Sequence, residues 1–310
     1  MEAIVTEGLT KYYGKLLALD DLGLSIERGH CVGFLGPNGA GKSTTIKLLC
    51  NLIHPTRGRA YVNGYDASKD SKKALRDVGA IVEVPEFYPY LNAVETLSYL
   101  GRIRGLTSTT LRERTADVLE LVKLSEWSGM KIAKFSRGMK QRLGVAQAIL
   151  HDPSILILDE PSLGLDPRGT YETREILKSL VKRGKTIFLA SHMLHEVQEV
   201  CDSVALINKG KLLAYDRVES LERIFRAQKI EVETVSPPKQ KQVDRIEELK
   251  AVRSISVEKN HFVIGFDGND VERADLLAML VRDLGLQVVS FKPSTEALEE
   301  IYLQLIKEAN

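Results

Sequence analysis

Gly36-Pro37-Asn38-Gly39-Ala40-Gly41-Lys42-Ser43 fits the pattern G-x-x-x-x-G-K-[ST], in which a glycine-rich turn cradles phosphate groups. The apolar run 31–35 before it is typical of a buried strand, and Ile46, Leu49 and Ile53 follow at helical spacing. A strand, a glycine-rich turn and a helix N-terminus together form an anion site, because backbone N–H groups and the helix dipole both favour negative charge. The segment therefore predicts a nucleotide phosphate site, the alternative being an ordinary glycine-rich turn.

Two side chains of this segment have distinct predicted roles. Lys42 is expected to neutralise oxygens of the β- and γ-phosphates and to be catalytic, and Ser43 to bind Mg²⁺. The expected nucleotide-binding residues of the segment are Gly36, Pro37, Asn38, Gly39, Ala40, Gly41, Lys42, Ser43 and Thr44.

A second segment with predicted chemistry is Ile155-Leu156-Ile157-Leu158-Asp159-Glu160-Pro161. Four consecutive aliphatic residues indicate a central parallel strand that is buried on both faces. Its carboxylates then lie at the C-terminal edge of the sheet, where ligands bind in open α/β folds. We expect Asp159 to hold Mg²⁺, directly or through water, and Glu160 to polarise the attacking water. The alternative is a plain turn closed by Pro161, which the upstream phosphate loop disfavours.

Three further segments complete the pattern of a known family. Phe135-Ser136-Arg137-Gly138-Met139-Lys140-Gln141-Arg142 resembles the signature of ATP-binding-cassette (ABC) ATPases, Ser162-Leu163-Gly164-Leu165-Asp166 resembles their D-loop, and Ser191-His192 their switch histidine. The order and spacing of these segments relative to the phosphate loop also match. The resemblance covers roughly residues 1–220 and implies an α/β P-loop NTPase fold with an antiparallel β flank and a helical subdomain at about 90–150.

The resemblance also implies how the sites are assembled. In ABC proteins two ATP-binding domains face each other head to tail, and each ATP lies between the phosphate loop of one subunit and the signature of the other. Ser136, a plausible N-cap for a helix from Met139 to Leu150, would then meet the partner's γ-phosphate together with Gly138. The D-loop residue Asp166 belongs to the same nucleotide interface.

For two further site residues, the sequence leaves more than one role open. Tyr13 matches the aromatic residue that stacks on adenine in this family, with Tyr12 the neighbouring possibility and core packing the alternative for either ring. His192 matches the catalytic switch residue that contacts the γ-phosphate and organises water around Glu160. A lone histidine after a strand is otherwise most often a polar cap.

The chain departs from the family pattern at two positions. Glu83 stands where most members have the glutamine that senses Mg²⁺ and contacts the membrane subunit, so the group expected at the metal is anionic. Arg137 replaces the first glycine of the usual Ser-Gly-Gly, which puts activity equal to that of the standard site in doubt.

Residues 221–310 are predicted to form a separate domain. Segments with strand and helix patterns follow in the order β-α-β-β-α-β, which resembles a small ferredoxin-like α+β sandwich. The proline- and lysine-rich run 236–242 is predicted to be an exposed loop. A final amphipathic helix is expected around Leu298, Ile301, Tyr302 and Leu305. We interpret this domain as an accessory or dimerisation module, and its last segment resembles exporter ATPases of the bacitracin-resistance and drug-efflux type.

Composition restricts the class of protein. Lys and Arg total 43 against 42 Asp and Glu in 310 residues, which lacks the basic excess of a generic nucleic-acid binder. No apolar run approaches the ~18 residues that a membrane span needs, and the N-terminus lacks a signal-peptide pattern. We therefore expect a cytoplasmic protein held at the inner face of the membrane through a partner.

The sequence thus predicts an ATPase subunit that forms a homodimer around two MgATP and powers a separate membrane permease, with export as the expected direction. The alternatives are a sodium or lipid exporter subunit and a soluble ABC-type ATPase that is not coupled to transport. A nucleotide-binding regulator without turnover is a third possibility. A single phosphate loop and the absence of a long coiled-coil insertion disfavour the ribosomal and DNA-repair relatives.

Overall fold

Contacts within the chain separate two units, Met1–Asp216 and Arg217–Asn310, in the computed structural model, which describes residues 2–220 and 229–293. The strands of the first unit are β1 (Glu2–Tyr13), β2 (Leu16–Glu27), β3 (Cys31–Leu35), β4 (Arg57–Val62), β5 (Tyr65–Asp66), β6 (Val78–Ile81), β7 (Ile155–Asp159), β8 (Thr186–Ser191), β9 (Ser203–Asn208) and β10 (Lys211–Arg217). Its helices are α1 (Lys42–Leu49), α2 (Ser71–Ala74), α3 (Ala93–Ile103), α4 (Ser108–Leu121), α5 (Arg137–Ile149), α6 (Pro167–Lys182) and α7 (Leu194–Val200), with 3-10 turns at Ser125–Trp127 and Ile132–Lys134.

A six-stranded sheet, in the order β10-β9-β3-β8-β7-β6, forms the centre of the first unit. Strands β9, β3, β8, β7 and β6 run parallel, and every residue of β3, β7 and β8 is buried. This burial on both faces explains why their sequences are unbroken apolar runs without alternation. Because the strands are parallel and adjacent, the segments that follow β3, β8 and β7 emerge at the same edge of the sheet.

The second sheet is antiparallel, with strand order β2-β1-β4-β5. On β2 the alternating residues Leu22, Leu24 and Ile26 are buried, as their period of two predicts. One core cluster joins this sheet to α1 and to the central sheet, including Ile46 and Phe188. The predicted antiparallel flank is therefore confirmed, and it packs on the helix that begins at the phosphate loop.

Helices α3, α4 and α5 make residues 93–149 largely helical, which confirms the predicted helical subdomain. The apolar residues Leu111, Val118 and Val122 of this subdomain are buried. Helix α5 begins at Arg137 with Ser136 as its N-cap, because the Ser136 hydroxyl accepts a hydrogen bond from the Met139 N–H at 3.2 Å.

The second unit contains β11 (Lys229–Thr234), α8 (Gln240–Glu247), β12 (Val252–Glu258), β13 (His261–Phe266), α9 (Asp270–Arg282) and β14 (Val288–Pro293). Its antiparallel sheet has the order β12-β13-β11-β14, which is the ferredoxin-like arrangement of a β-α-β-β-α-β chain. A core of its own includes Val232, Ile246, Phe262 and Leu280. The predicted α+β fold is confirmed, while the predicted final helix lies outside the described residues.

One predicted boundary in this unit is wrong. The run 236–242 was expected to be a loop throughout, but α8 already begins at Gln240. The Gln242 side chain accepts a hydrogen bond from the Lys239 N–H at 2.7 Å and so starts the helix within the polar run. Among residues 2–220 and 229–293, no helix has the length and apolar character to cross a membrane.

Asn92 provides a test of the helical subdomain. Its side chain accepts a hydrogen bond from the Glu95 N–H at 2.8 Å, and the Glu95 carboxylate accepts one from the Asn92 N–H at 2.8 Å, forming a capping box at α3. Asn92→Ala is expected to lower the free energy of unfolding by about 1 kcal/mol, measured by urea denaturation. Asn92→Asp keeps the acceptor and is the control. Equal losses for the two variants would contradict the role of the cap.

Candidate active site

The phosphate loop spans residues 36–41, between the end of β3 and the start of α1. Its glycines adopt conformations that other residues rarely reach, with φ of 82° at Gly39 and 110° at Gly41. Gly41 is the N-cap of α1, and no side chain caps this helix. The N–H groups of its first turn are therefore available to an anionic ligand, and the helix dipole adds to the attraction.

Lys42 is buried at the base of this loop, with 6% of its surface exposed. Its ammonium group donates hydrogen bonds to the carbonyl oxygens of Gly36 at 2.7 Å and Pro37 at 3.2 Å. A carboxylate oxygen of Glu160 lies 3.3 Å from the same nitrogen. The lysine is thus held by the loop itself, and its positive charge faces the carboxyl end of β7.

Glu160 and His192 follow β7 and β8, which are adjacent strands in parallel register. Glu160 leaves β7 in a left-handed conformation, φ 48°, while its N–H donates to the Ala190 carbonyl at 3.0 Å. His192 Nδ1 lies 2.7 Å from Glu160 Oε2. Because an ionised carboxylate only accepts hydrogen bonds, the histidine donates this one. The fold therefore brings the three predicted catalytic residues, Lys42, Glu160 and His192, into one connected group.

Asp159 lies beside this group, with 5% of its surface exposed. Burial raises the pKa of the Asp159 carboxyl above its usual value, and a hydrogen bond from the Ser43 hydroxyl opposes that rise. The Asp159 Oδ1 atom has no hydrogen-bond partner. A buried carboxylate oxygen without a partner next to a serine hydroxyl fits a hard cation such as Mg²⁺, which prefers oxygen ligands.

Glu83 is paired with Lys47, one turn further along α1, at 2.6 Å. The hydrogen bond from Lys47 lowers the pKa of the Glu83 carboxyl, which stays 67% exposed. Glu83 lines a small cavity of about 220 Å³ together with Ser43, Asp159 and Gln141. The three predicted metal-binding residues, Ser43, Asp159 and Glu83, thus border one space, and Lys47 balances the charge of the outermost one.

A larger cavity of about 450 Å³ lies over the phosphate loop. Tyr13 lines it, half-exposed, whereas its neighbour Tyr12 does not. The remaining lining comes from the phosphate loop and α1, from β2, from Leu163 of the D-loop and from the predicted catalytic groups Lys42, Glu160 and His192. A nucleotide-sized space is therefore bordered by phosphate-binding groups and by one aromatic ring.

The predicted signature residues Ser136 and Gly138 and the D-loop residue Asp166 lie elsewhere on the first unit. Ser136 and Gly138 line a separate cavity of about 560 Å³ together with Asp166. Asp166 caps α6, since its carboxylate accepts a hydrogen bond from the Gly169 N–H at 2.8 Å. None of the residues that border the phosphate-loop cavity borders this one. The fold thus does not bring Ser136 and Gly138, at the N-terminus of α5, to the phosphate loop of their own chain.

Two residues of the site were not predicted from the sequence. Gln141 is buried, with 6% exposed, and borders the cavity of Ser43 and Asp159. Its position one turn before the buried Val145 on α5 is a signal of burial, but not of its place beside Ser43 and Asp159. The pairing of Lys47 with Glu83 had no such signal, because the two residues are far apart in sequence.

Comparison with known proteins agrees with this geometry. A family model described as ABC transporter matches residues 19–163. The bacitracin transport ATP-binding protein BcrA of Bacillus licheniformis is 38% identical over 307 residues, which cover 98% of this chain and 97% of that protein. The lantibiotic transport ATP-binding protein SrtF of Streptococcus pyogenes is 37% identical, covering 72% of this chain and 95% of that protein.

A solved structure of an ATP-binding subunit of an ABC transporter superposes with a TM-score of 0.65 at 31% identity, over 72% of this chain and 93% of that one. The chain therefore belongs to the ABC transporter family, as an ATP-binding subunit that hydrolyses ATP.

Proposed function

We propose that two copies of this chain pair head to tail around two MgATP and drive a separate membrane permease that exports its substrate. Each ATP lies between the phosphate loop of one copy and the signature of the other. Hydrolysis at Glu160 then releases the pair and resets the permease.

The proposal depends on one observation: within one unit, the phosphate loop and the N-terminus of α5 lie apart. We call these the two half-sites. Lys42 and Ser43 border the phosphate-loop cavity, whereas Ser136 and Gly138 border another one. The N-terminus of α5, with its N–H groups and positive dipole end, is suited to a phosphate that the same chain does not present. A second copy supplies such a phosphate when the two half-sites face each other.

The catalytic group acts through charge and orientation. Glu160, fixed by Lys42 on one carboxylate oxygen and by His192 on the other, accepts a proton from the attacking water. Lys42 stabilises negative charge on the β- and γ-phosphate oxygens during transfer. His192 keeps the Glu160 carboxylate in place by donating from Nδ1, so that Nε2 can accept a hydrogen bond from the attacking water or, in the protonated ring, donate one to a phosphate oxygen.

Ser43 and Asp159 are the residues that would hold Mg²⁺, with Glu83 at the rim of the same cavity. The unpartnered Oδ1 of Asp159 supports this assignment. When bound, the ion neutralises charge on the phosphate oxygens. Asp159 retains its place through the Ser43 hydroxyl and its buried position on β7.

Export is the direction that we propose, and it is supported by a relative from Ralstonia nicotianae, 36% identical over 69% of this chain, that is named Nod factor export ATP-binding protein I. In this proposal the chain works in the cytoplasm, at the inner face of the membrane, where the permease holds it. The second unit, from about residue 221, serves as an accessory or dimerisation module. Its separate core and ferredoxin-like sheet support a role that is independent of the nucleotide chemistry.

Lys42→Ala is expected to reduce phosphate release by about 100-fold or more, because it removes a buried charge aimed at the transferring phosphate. Phosphate release from MgATP measures the effect. Lys69→Ala removes an exposed lysine of the same unit and should leave the rate unchanged. Near wild-type turnover in Lys42→Ala would show that the phosphate loop has been assigned incorrectly.

Glu160→Gln tests the dimer. The glutamine keeps the volume of the side chain but cannot accept the proton, so ATP should bind without being hydrolysed and the dimer should accumulate. Size-exclusion chromatography with MgATP measures the dimer. Adding Ser136→Arg places a bulky side chain at the facing half-site and should return the protein to the monomer.

Ser108→Arg, at the first residue of α4 and also exposed, is the control for the added charge. A Glu160→Gln dimer that persists with Ser136→Arg, or that Ser108→Arg also breaks, would rule out the head-to-tail arrangement.

The pairing of Glu83 with Lys47 leads to a test of the metal site. A carboxylate ~4 Å from a phosphate charge is repelled by about 4 kcal/mol at an effective dielectric near 20, unless a cation intervenes. Glu83→Gln should therefore weaken the dependence of phosphate release on Mg²⁺ concentration, and Lys47→Met should strengthen it by leaving the carboxylate uncompensated. Mg²⁺ titrations at fixed ATP measure both. Two variants that titrate like the wild type would place Glu83 outside the metal site.

A further inference from the structure

Arg137, the residue that departs from the signature pattern, is bound to the D-loop of its own chain. Its Nη2 donates a hydrogen bond to the Leu163 carbonyl oxygen at 3.0 Å. A Cβ atom added at Gly164 would lie 2.5 Å from Cζ, Nη1 and Nη2 of Arg137 alike. Three equal distances place an added Cβ above the face of the guanidinium, so the group occupies the space that a side chain at position 164 would fill.

The D-loop in turn is attached to Glu160. The Leu163 N–H donates to the Glu160 carbonyl oxygen at 3.1 Å, and the Leu165 N–H donates to the Ser162 carbonyl oxygen at 3.2 Å. Leu163 also borders both the phosphate-loop cavity and the cavity of the predicted metal residues. A displacement of this turn therefore reaches the backbone of the residue whose carboxylate faces Lys42.

We infer that Arg137 is a positioning residue for hydrolysis, holding the D-loop, and through it Glu160, against the N-terminus of α5. Arg137 directly follows Ser136, the cap of that helix. Under the proposed function, on which this consequence rests, the α5 N-terminus receives the partner's nucleotide, so Arg137 links that half-site to the glutamate that serves the chain's own ATP.

The chemistry of arginine suits this contact better than that of lysine. A guanidinium is planar and can lie on a glycine backbone while one of its N–H groups donates in the same plane. An ammonium group can replace the hydrogen bond to Leu163, but it has no planar face to pack beside Gly164. A glycine, the residue usual in the family at position 137, can do neither.

Arg137→Gly is expected to lower kcat for phosphate release about fivefold, which corresponds to ~1 kcal/mol and to the loss of one charge-assisted hydrogen bond. The KM for ATP should stay within about twofold, because Lys42 and the phosphate loop are untouched. Arg137→Lys should recover part of the loss. A rise in KM at constant kcat, or Arg137→Lys no better than Arg137→Gly, would contradict positioning of Glu160.

Gly164→Ala tests the contact between Gly164 and the guanidinium of Arg137 by changing the glycine. The alanine is strained at φ 70° and also meets Arg137, whereas in Arg137→Gly only the strain remains. Gly164→Ala should therefore lower kcat more in the wild type than in the Arg137→Gly background. Gly184→Ala is the matched control, since Gly184 has φ 76° and nothing within 4 Å of an added Cβ. Additive effects of Arg137→Gly and Gly164→Ala would overturn the inference.

A measurement without nucleotide separates this inference from the proposed function. Hydrogen exchange of the free protein, followed by mass spectrometry, should show about fivefold faster exchange in peptide 160–166 of Arg137→Gly than of the wild type. Exchange in β11–β14 should be unchanged. Equal exchange in peptide 160–166 overturns the positioning role, even if the protein hydrolyses ATP. Faster exchange in a chain that forms no ATP dimer supports the contact and refutes only the head-to-tail pairing.

Discussion

The close approach of the phosphate loop to its neighbours is the constraint on which the site depends. A Cβ at Gly36 would collide with the Ile207 carbonyl, and one at Gly41 would lie 2.8 Å from the Ala18 carbonyl. Backbone hydrogen bonds also join the loop to its neighbours. The Gly36 N–H donates to the Ser191 carbonyl oxygen at 3.4 Å, and the Gly210 N–H donates to the Ala40 carbonyl oxygen at 2.9 Å. The glycines thus let the ends of β8 and β9 and the antiparallel flank meet at one point, which places the N-terminus of α1 beside the catalytic groups.

Two carboxylates and one ammonium group lie close together at this point. Asp159 and Glu160 are consecutive carboxylates at the end of a buried strand, and the partly exposed His192 bonds to the second of them. Lys42 is the cation in contact with Glu160, while burial raises the pKa of the Asp159 carboxyl. Because unpaired buried charge is costly, such a pair favours the binding of a further cation, which is the role that we propose for the Mg²⁺ of MgATP.

The signature helix shows how a departure from a family pattern can be accommodated. The first turn of α5 keeps its Ser136 cap, so Arg137 changes what lies beside the proposed phosphate site rather than the cap itself. Its guanidinium rests on the D-loop glycine instead. The contact connects the N-terminus of α5, which we propose faces a second copy, with the backbone of Glu160. A change at position 137 is therefore expected to affect the position of Glu160.

Short motifs were sufficient to predict most of the fold and to single out Lys42, Glu160 and His192, which the fold brings together. Buried parallel strands can be recognised as apolar runs, and the phosphate loop as a glycine-rich turn before a helix, from a few consecutive residues. The order of strands and helices in residues 229–293 could be predicted in the same way. Local sequence could not predict the contacts of Lys47 with Glu83, of Arg137 with Gly164, or of Gln141 with the predicted metal site. These pairs are 36, 27 and about 18 residues or more apart along the chain, and no periodicity links them. Only the packing of α1, α5 and the segments after β6 and β7 brings such side chains together, because contacts between elements are decided by where the whole sheet places their ends.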